Sequence, residues 1–363
     1  MDVRYVPVVD ISALMALSTD AQVDEAVRDA RASGLHATIS EIRAAATDWG
    51  FWYITSHGLS KHEMETFQKQ MRSFFRLSLD GKRSVGRGVL NARGYFDNEL
   101  TKNKTDWKEC FDVSGVQEDG PKKYPKHERM GEDGPKKYPK HERMGEDENQ
   151  WPLEVLLPGF RPGILEYYCK MEHLSRRLVK VCAAALGQEP TVFDPFFKDD
   201  NSSFLRLNHY PVAPMPDKTM GVHHHTDAGA LTILLQDDEV ASLQVLHRES
   251  QTWMLIPPRE GTFVVNVGDM MQVWSNDVFV APLHRVLANG CTDRFSAPFF
   301  YNPSYKTQVQ PLVGKEGEDE PHYRPLSWRA FRQARFQGDY ADSGKEVQIG
   351  DYKIHGPIDV ANS

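Results

Sequence analysis

The chain is sparing with several features that mark whole classes of protein. It has four cysteines in 363 residues, Cys110, Cys169, Cys182 and Cys291, with no CxxC pair among them. That scatter fits reduced core or surface thiols in a cytoplasmic protein. No apolar run reaches the roughly 18 residues that a membrane-spanning helix needs, so no membrane span is expected. The opening Met1-Asp2-Val3-Arg4 lacks the apolar segment of a secretory leader. Positive charge is not in excess: 43 Lys and Arg stand against 51 Asp and Glu, a net charge of −8, which argues against nucleic acid as a partner. What the chain does have is 40% hydrophobic residues, with 18 Phe, 13 Tyr and 7 Trp, enough for a substantial core.

The apolar pattern divides the chain. Val6-Pro7-Val8-Val9-Asp10 reads as a first strand, residues 20–50 as helical, and Gly50-Phe51-Trp52-Tyr53-Ile54 as a strand closed by Ser56-His57-Gly58. Ser60 with Glu63 is a capping box that opens a helix running to about Leu77. Leu174, Leu178, Val181 and Ala185 form one stripe of a long helix over 163–185, and Gly187 is its stop. Beyond Ser202, short apolar runs recur at 204–207, 231–235, 243–246, 253–256, 263–266, 271–274 and 295–301. Their spacing indicates an all-β sandwich or barrel. A further helical piece is expected around 328–336. Residues 118–131 read EDGPKKYPKHERMG, and residues 132–145 repeat them without change. Two charged copies with a short period cannot stack as a solenoid, so they read as a surface loop insertion.

Three groups of residues carry chemistry. His225 and Asp227 are two residues apart, and i and i+2 of an extended segment project to one side. With His284 they offer two imidazoles and one carboxylate, a three-point hold on a divalent metal that leaves coordination positions open. Fe(II), Mn, Co and Zn all accept that donor set. His223 and His224 are alternative imidazoles, and the carboxylate two residues on favours His225. Arg294 and Ser296 share a strand face and form a dock for an anion, which is either a protein carboxylate or a bound ligand. Arg87, Arg93, Lys108 and Arg206 lie on segments that could border the site but read first as surface or structural charges, and Trp274 and Phe299 read as core rather than pocket wall. His209, alternating with Tyr210, should face away from the site. A zinc hydrolase is disfavoured, since no general base stands beside the three ligands.

The motifs then form an ordered series: Trp49-Gly50-Phe51-Trp52-Tyr53 with Ser56-His57-Gly58, Arg93-Gly94-Tyr95, Asp106-Trp107-Lys108-Glu109, Leu207-Asn208-His209-Tyr210-Pro211, His225-Thr226-Asp227-Ala228-Gly229-Ala230-Leu231-Thr232, Val265-Asn266-Val267-Gly268-Asp269, His284-Arg285-Val286 and Arg294-Phe295-Ser296. With these residues the chain resembles the isopenicillin-N-synthase-like Fe(II)/2-oxoglutarate-dependent dioxygenases. The resemblance covers nearly the whole chain outside residues 116–150.

It implies a mainly β fold with flanking α-helices around a double-stranded β-helix, or jelly-roll, core. It divides the chain into an N-terminal helical and strand region (1–115), the charged insertion (116–150), a core-supporting helix (151–200), the jelly roll (201–312) and a C-terminal extension (313–363). It implies His225, Asp227 and His284 as ligands of Fe(II), and Arg294, Ser296 and Tyr210 as the dock for the distal carboxylate of 2-oxoglutarate, with Asn208 near the metal-bound end. O2 is the oxidant, succinate and CO2 are products, and a C–H bond of a small specialised metabolite is hydroxylated, desaturated or closed into a ring. Members of the same group that oxidise without 2-oxoglutarate also keep an Arg-x-Ser pair, so that alternative stays open here, as does a non-catalytic small-ligand-binding protein. A monomer or weak homodimer is expected. Asn276-Asp277, followed by Ala281-Pro282, departs from the Asn-Gly common before the second histidine, and retention of Asp227 argues against a halogenase.

Overall fold

The computed structural model describes residues 6–88, 91–102, 104–115, 147–198, 200–236, 240–312, 320–338 and 346–356. The tandem repeat at 118–145 lies outside the described residues.

The N-terminal part runs β1 (Val8–Asp10), α1 (Ser12–Met15), α2 (Asp20–Arg28), α3 (His36–Asp48), β2 (Phe51–Thr55), α4 (Lys61–Phe75), α5 (Leu79–Arg83), β3 (Gly94–Phe96), β4 (Leu100–Thr101), β5 (Lys104–Thr105) and β6 (Glu109–Ser114). After α6 (Phe160–Ala185) and α7 (Asp194–Phe197) come β7 (Phe204–Tyr210), β8 (Met220–His225), β9 (Leu231–Gln236), β10 (Leu243–His247), β11 (Thr252–Leu255), β12 (Phe263–Val267), α8 (Asp269–Trp274), β13 (His284–Leu287) and β14 (Arg294–Tyr301). The tail adds β15 (Gln308–Val309), β16 (Leu326–Ser327) and α9 (Trp328–Gly338). None of the helices described is long and apolar enough to cross a membrane.

Eight strands form one sheet in the order β1-β2-β12-β9-β14-β7-β6-β3, and four form a second in the order β11-β10-β13-β8. All pairings within these two sheets are antiparallel except β1 with β2. Strands from the N-terminal part and from residues 204–301 therefore share the large sheet, and the two sheets close on each other as a jelly roll.

Alternation along each strand assigns the faces. Trp52, Ile54, Leu205, Leu207, Ile233, Leu235, Ala297 and Phe299 are buried in the cluster that includes α3, α4 and α6. Phe51, Tyr53, Tyr210, Val222, Val245, Val264 and Val286 form a second cluster between the sheets. The long helix α6 buries Leu174, Leu178, Val181 and Ala185 on the helix side, as their spacing predicts. Ser60 caps α4 through a complete capping box with Glu63.

Two expectations need correction. The helical stretch 20–50 is two helices, α2 and α3, separated by a turn in which Gly34 has φ +80°. The run 271–274, read as a strand, belongs to the helix α8. A short, fully apolar run has no period to show, and burial on all sides suits either conformation. Trp274, stacked on Phe196 with ring centroids 5.1 Å apart, packs that helix into the core.

Candidate active site

β8 and β13 pair with His225 directly opposite His284. Asp227 lies two residues beyond the end of β8. Its turn is held from behind by the start of α8: the Gly268, Asp269 and Met270 amides donate to the carbonyls of Ala230, Asp227 and Gly229 at 2.9, 2.7 and 2.9 Å. Gly268 permits this approach, since a Cβ there would sit 2.3 Å from the Gly229 carbonyl oxygen.

The result is a compact donor set. The ligand atoms of His225, Asp227 and His284 all lie within 4.8 Å of one another. Asp227 Oδ1 is 3.6 Å from Nε2 of each imidazole. His225 Nδ1 donates to the His223 carbonyl at 2.8 Å, and His284 Nδ1 to the Pro282 carbonyl at 3.1 Å. A carbonyl only accepts, so each Nδ1 carries the proton and each Nε2 keeps its lone pair for a metal. Burial and the neighbouring His225 push His284 down to about 4, so its ring is neutral. Burial alone would raise Asp227, but His284, His225 and Thr232 outweigh it and hold the carboxyl well below the usual range. Its other oxygen, Oδ2, is taken by Thr232 Oγ1 at 2.6 Å and Asn266 Nδ2 at 2.8 Å. A divalent cation requires an anionic carboxylate and imidazoles with a free nitrogen lone pair.

The alternative histidines are elsewhere. His223 is tied to Asp106 Oδ1 through Nδ1 at 3.0 Å and through its backbone amide at 3.1 Å. His224 is exposed.

The residues expected to dock an anion lie on the large sheet. Arg294 pairs with Tyr210 in register, and Ser296 with Asn208 on one side and Gln236 on the other. Arg294 is 1% exposed. Its Nη2 donates to Gln236 Oε1 at 3.2 Å, while Nε and Nη1 are buried with no partner among the described residues. Its guanidinium lies 4.9 Å from the Tyr210 ring. Two orphaned donors on a buried cation are costly, and an anionic partner is what such a cation calls for. The partner that orients this arginine is an amide, not a protein carboxylate. Asn208 donates to Ser296 Oγ at 3.2 Å and accepts from Cys110 Sγ at 3.1 Å. It lines the same space as the three candidate ligands, and its hydrogen bonds run to the Ser296 end. His209 faces the opposite way, stacked on Phe295 with centroids 4.7 Å apart.

Two cavities meet at this point. The inner one, about 560 Å³ counting its open mouth, runs from His225, Asp227 and His284 to Arg294 and Ser296. The outer one, about 670 Å³ on the same basis, is bounded by Thr226, Phe204, Asn302, Arg332, Arg335 and Glu346. His225, Asp227, Lys108, Arg206, Val222 and Phe300 belong to both. Lys108 and Arg206 are not surface charges: they form buried pairs, Lys108 with Glu99 at 2.7 Å and Arg206 with Asp112 at 2.8 Å and Glu99 at 2.9 Å. They act as a rigid charged wall.

The sequence shows Thr232 and Asn266 only as members of motifs and singles out neither Gln236 nor Arg335. Thr232 and Gln236 do carry a signal, because they lie on the inward period of the strand that starts at Leu231. Arg335 carries none.

Comparison with known proteins agrees with this geometry. The model of the 2OG-Fe(II) oxygenase superfamily matches residues 201–303, and that of the non-haem dioxygenase in morphine synthesis N-terminal family matches residues 6–153. The chain is 33% identical over 332 residues to the 2-oxoglutarate-dependent dioxygenase citB of Monascus ruber, covering 87% of this chain and 91% of that one. It is 30% identical over 350 residues to jasmonate-induced oxygenase 2 of Arabidopsis thaliana, covering 95% and 83%. Among solved structures, JOX2 in complex with 2OG, Fe and JA matches with TM-score 0.69 and 26% identity over 94% of this chain and 88% of that one. The dioxygenase for auxin oxidation in rice shares the fold, with TM-score 0.65 and 22% identity over 93% and 98%. A fold, a donor set and an orphaned buried arginine thus agree with sequence kinship along almost the full chain, which belongs to the 2OG-Fe(II) oxygenase superfamily and is a 2-oxoglutarate-dependent non-haem iron dioxygenase.

Proposed function

We propose that this enzyme oxidises a C–H bond of a small specialised metabolite by hydroxylation, desaturation or oxidative ring closure. His225, Asp227 and His284 hold Fe(II), and Arg294, Ser296 and Tyr210 take the distal carboxylate of 2-oxoglutarate. The observation that carries this reading is the junction of the two cavities at His225 and Asp227, with the buried guanidinium of Arg294, held by an amide, lining the far end of the inner one. The inner cavity then suits the cosubstrate and the outer one the metabolite.

When bound, Fe(II) supplies O2 activation coupled to decarboxylation of 2-oxoglutarate to succinate and CO2. The chain supplies everything else. Nδ1 protonation keeps both imidazoles aimed by Nε2. Thr232 and Asn266 occupy one Asp227 oxygen and leave the other free. Gln236 holds the guanidinium of Arg294, which lines the inner cavity. Phe300 and Val222 line both spaces and limit the water that reaches the reacting atoms.

Small-molecule chemistry in the relatives supports the metabolite class: one is a gibberellin 2-beta-dioxygenase, and another is a homoarginine-6-hydroxylase. The test is turnover of a panel of small acids and heterocycles by Fe(II)-loaded protein with 2-oxoglutarate and O2, with succinate and product mass read together. A product one oxygen heavier means hydroxylation, and one two hydrogens lighter means desaturation or ring closure. O2-dependent turnover without 2-oxoglutarate, or tight ligand binding without metal-dependent turnover, overturns the reading.

A further inference from the structure

Arg335, on α9, is 7% exposed and joins three separate parts of the chain. Its Nη2 donates to the carbonyl oxygen of Thr226 at 2.9 Å. Thr226 is the residue between His225 and Asp227. The Nε of Arg335 pairs with Glu346 Oε1 at 3.1 Å, and its Nη1 donates to Gln348 Oε1 at 3.1 Å and to the Val347 carbonyl at 3.4 Å. Nη1 also lies 4.0 Å from Oδ2 of the fully buried Asp269. Asp269 in turn donates its backbone amide to the Asp227 carbonyl at 2.7 Å.

Two consecutive carbonyls of the His225-Thr226-Asp227 turn are therefore gripped, one by Arg335 and the next by the residue that pairs with Arg335. The peptide planes of that turn set the angle between the His225 ring and the Asp227 carboxylate. A planar fork with five donors on three nitrogens reaches partners on both of its edges, whereas an ammonium offers three donors from a single nitrogen. Glu346 itself is held in place, accepting from the Lys102 amide at 3.2 Å. Arg335 and Glu346 also bound the outer cavity together with Arg332.

We propose that Arg335 is a positioning residue for the iron site, and that the C-terminal segment completes the metal-binding turn while it walls the outer cavity. The inference rests on His225 and Asp227 being iron ligands. Groups that orient metal ligands typically change metal affinity by about 10–100-fold when removed.

The test is anaerobic Fe(II) titration of the full chain, with far-UV circular dichroism and thermal melting run alongside. R335A is expected to melt cooperatively and bind Fe(II) about 10–100-fold more weakly, with R335K intermediate because one donor still reaches the Thr226 carbonyl. H225A is expected to lose specific binding. R335A at wild-type affinity beside a non-binding H225A overturns this inference alone. H225A that binds like the wild type overturns the ligand reading and this inference with it. Should R335A fail to fold, E346Q decides: weaker Fe(II) binding supports the proposal, and unchanged binding overturns it.

Discussion

Thr232 donates its hydroxyl to Oδ2 of Asp227 at 2.6 Å, reaching back across the turn that separates β8 from β9. Asn266 takes the same oxygen from β12 at 2.8 Å. One carboxylate oxygen is thus committed to the protein, and Oδ1 is left equidistant from the two imidazoles. We expect Thr232→Val to bind Fe(II) about 10-fold more weakly with its fold intact, as read by anaerobic titration. The double variant with Asn266→Ala should lose less than the sum of the two single losses, because both act on one acceptor.

Gln236 accepts a hydrogen bond from the buried guanidinium of Arg294 and so fixes its plane. Gln236→Ala removes that orientation, so KM for 2-oxoglutarate should rise about tenfold, the equivalent of one hydrogen bond of roughly 1.4 kcal/mol. On the proposed role of Arg294, Gln236→Glu should raise KM further, because a carboxylate there would compete with the cosubstrate for the same cation. Steady-state kinetics with varied 2-oxoglutarate distinguishes the two. Equal KM values in Gln236→Glu and the wild type would exclude this role.

Gly268 lies where a side chain has no room. A Cβ would approach the Gly229 carbonyl oxygen to 2.3 Å and the Asp227 carbonyl oxygen to 3.1 Å. Both are backbone atoms of the turn that carries Asp227, so relief requires moving that turn. Gly268→Ala should lower stability by about 1–3 kcal/mol, the usual cost of overpacking, and weaken Fe(II) binding as well. Thermal melting and metal titration of the same sample check both halves.

Behind the dock, Glu109 accepts from Lys82 Nζ at 2.7 Å, Tyr95 OH at 2.5 Å and His209 Nδ1 at 2.7 Å. Burial alone would raise its carboxyl, but the His209, Lys82 and Tyr95 hydrogen bonds outweigh this and hold it down at about 2. In the unfolded chain it returns to its ordinary value near 4.5. Between these values the unfolded state binds the extra proton, so stability rises with pH across that window. The contribution is complete above about 4.5 and is lost as pH falls through about 2. Glu109→Gln should flatten the pH dependence of unfolding in that range. It should also cost about 3–5 kcal/mol at neutral pH by leaving Lys82 buried without its charge partner. Urea unfolding at a series of pH values measures both effects.

The inward faces of the large sheet are legible in the sequence, because alternation is a property of neighbours in the chain. Asn208 with Tyr210, and Arg294 with Ser296, share a face for that reason alone. The capping box of α4 and the buried stripe of α6 are equally local. The stretch 271–274 defeats pattern reading, because a short run buried on all sides has neither period. Thr232 and Asn266 are visible as members of motifs, but their shared target is not. That target depends on β9 and β12 being paired with Thr232 opposite Asn266.

The amino-acid sequence by itself determined which donors are available: two imidazoles and a carboxylate at a spacing that a strand end can aim together, and an arginine and a serine on one strand face. Tertiary structure alone decided how they are used. It tied His223 to Asp106 and left His225 opposite His284. It buried Arg294 with two donors unspent, and it brought Arg335 from the far end of the chain onto the carbonyl of Thr226. The physical reason is range. Periodicity and capping are set by φ, ψ and residues a few positions apart, whereas the partner of a buried polar atom is set by register and sheet closure, which bring together groups far apart in sequence.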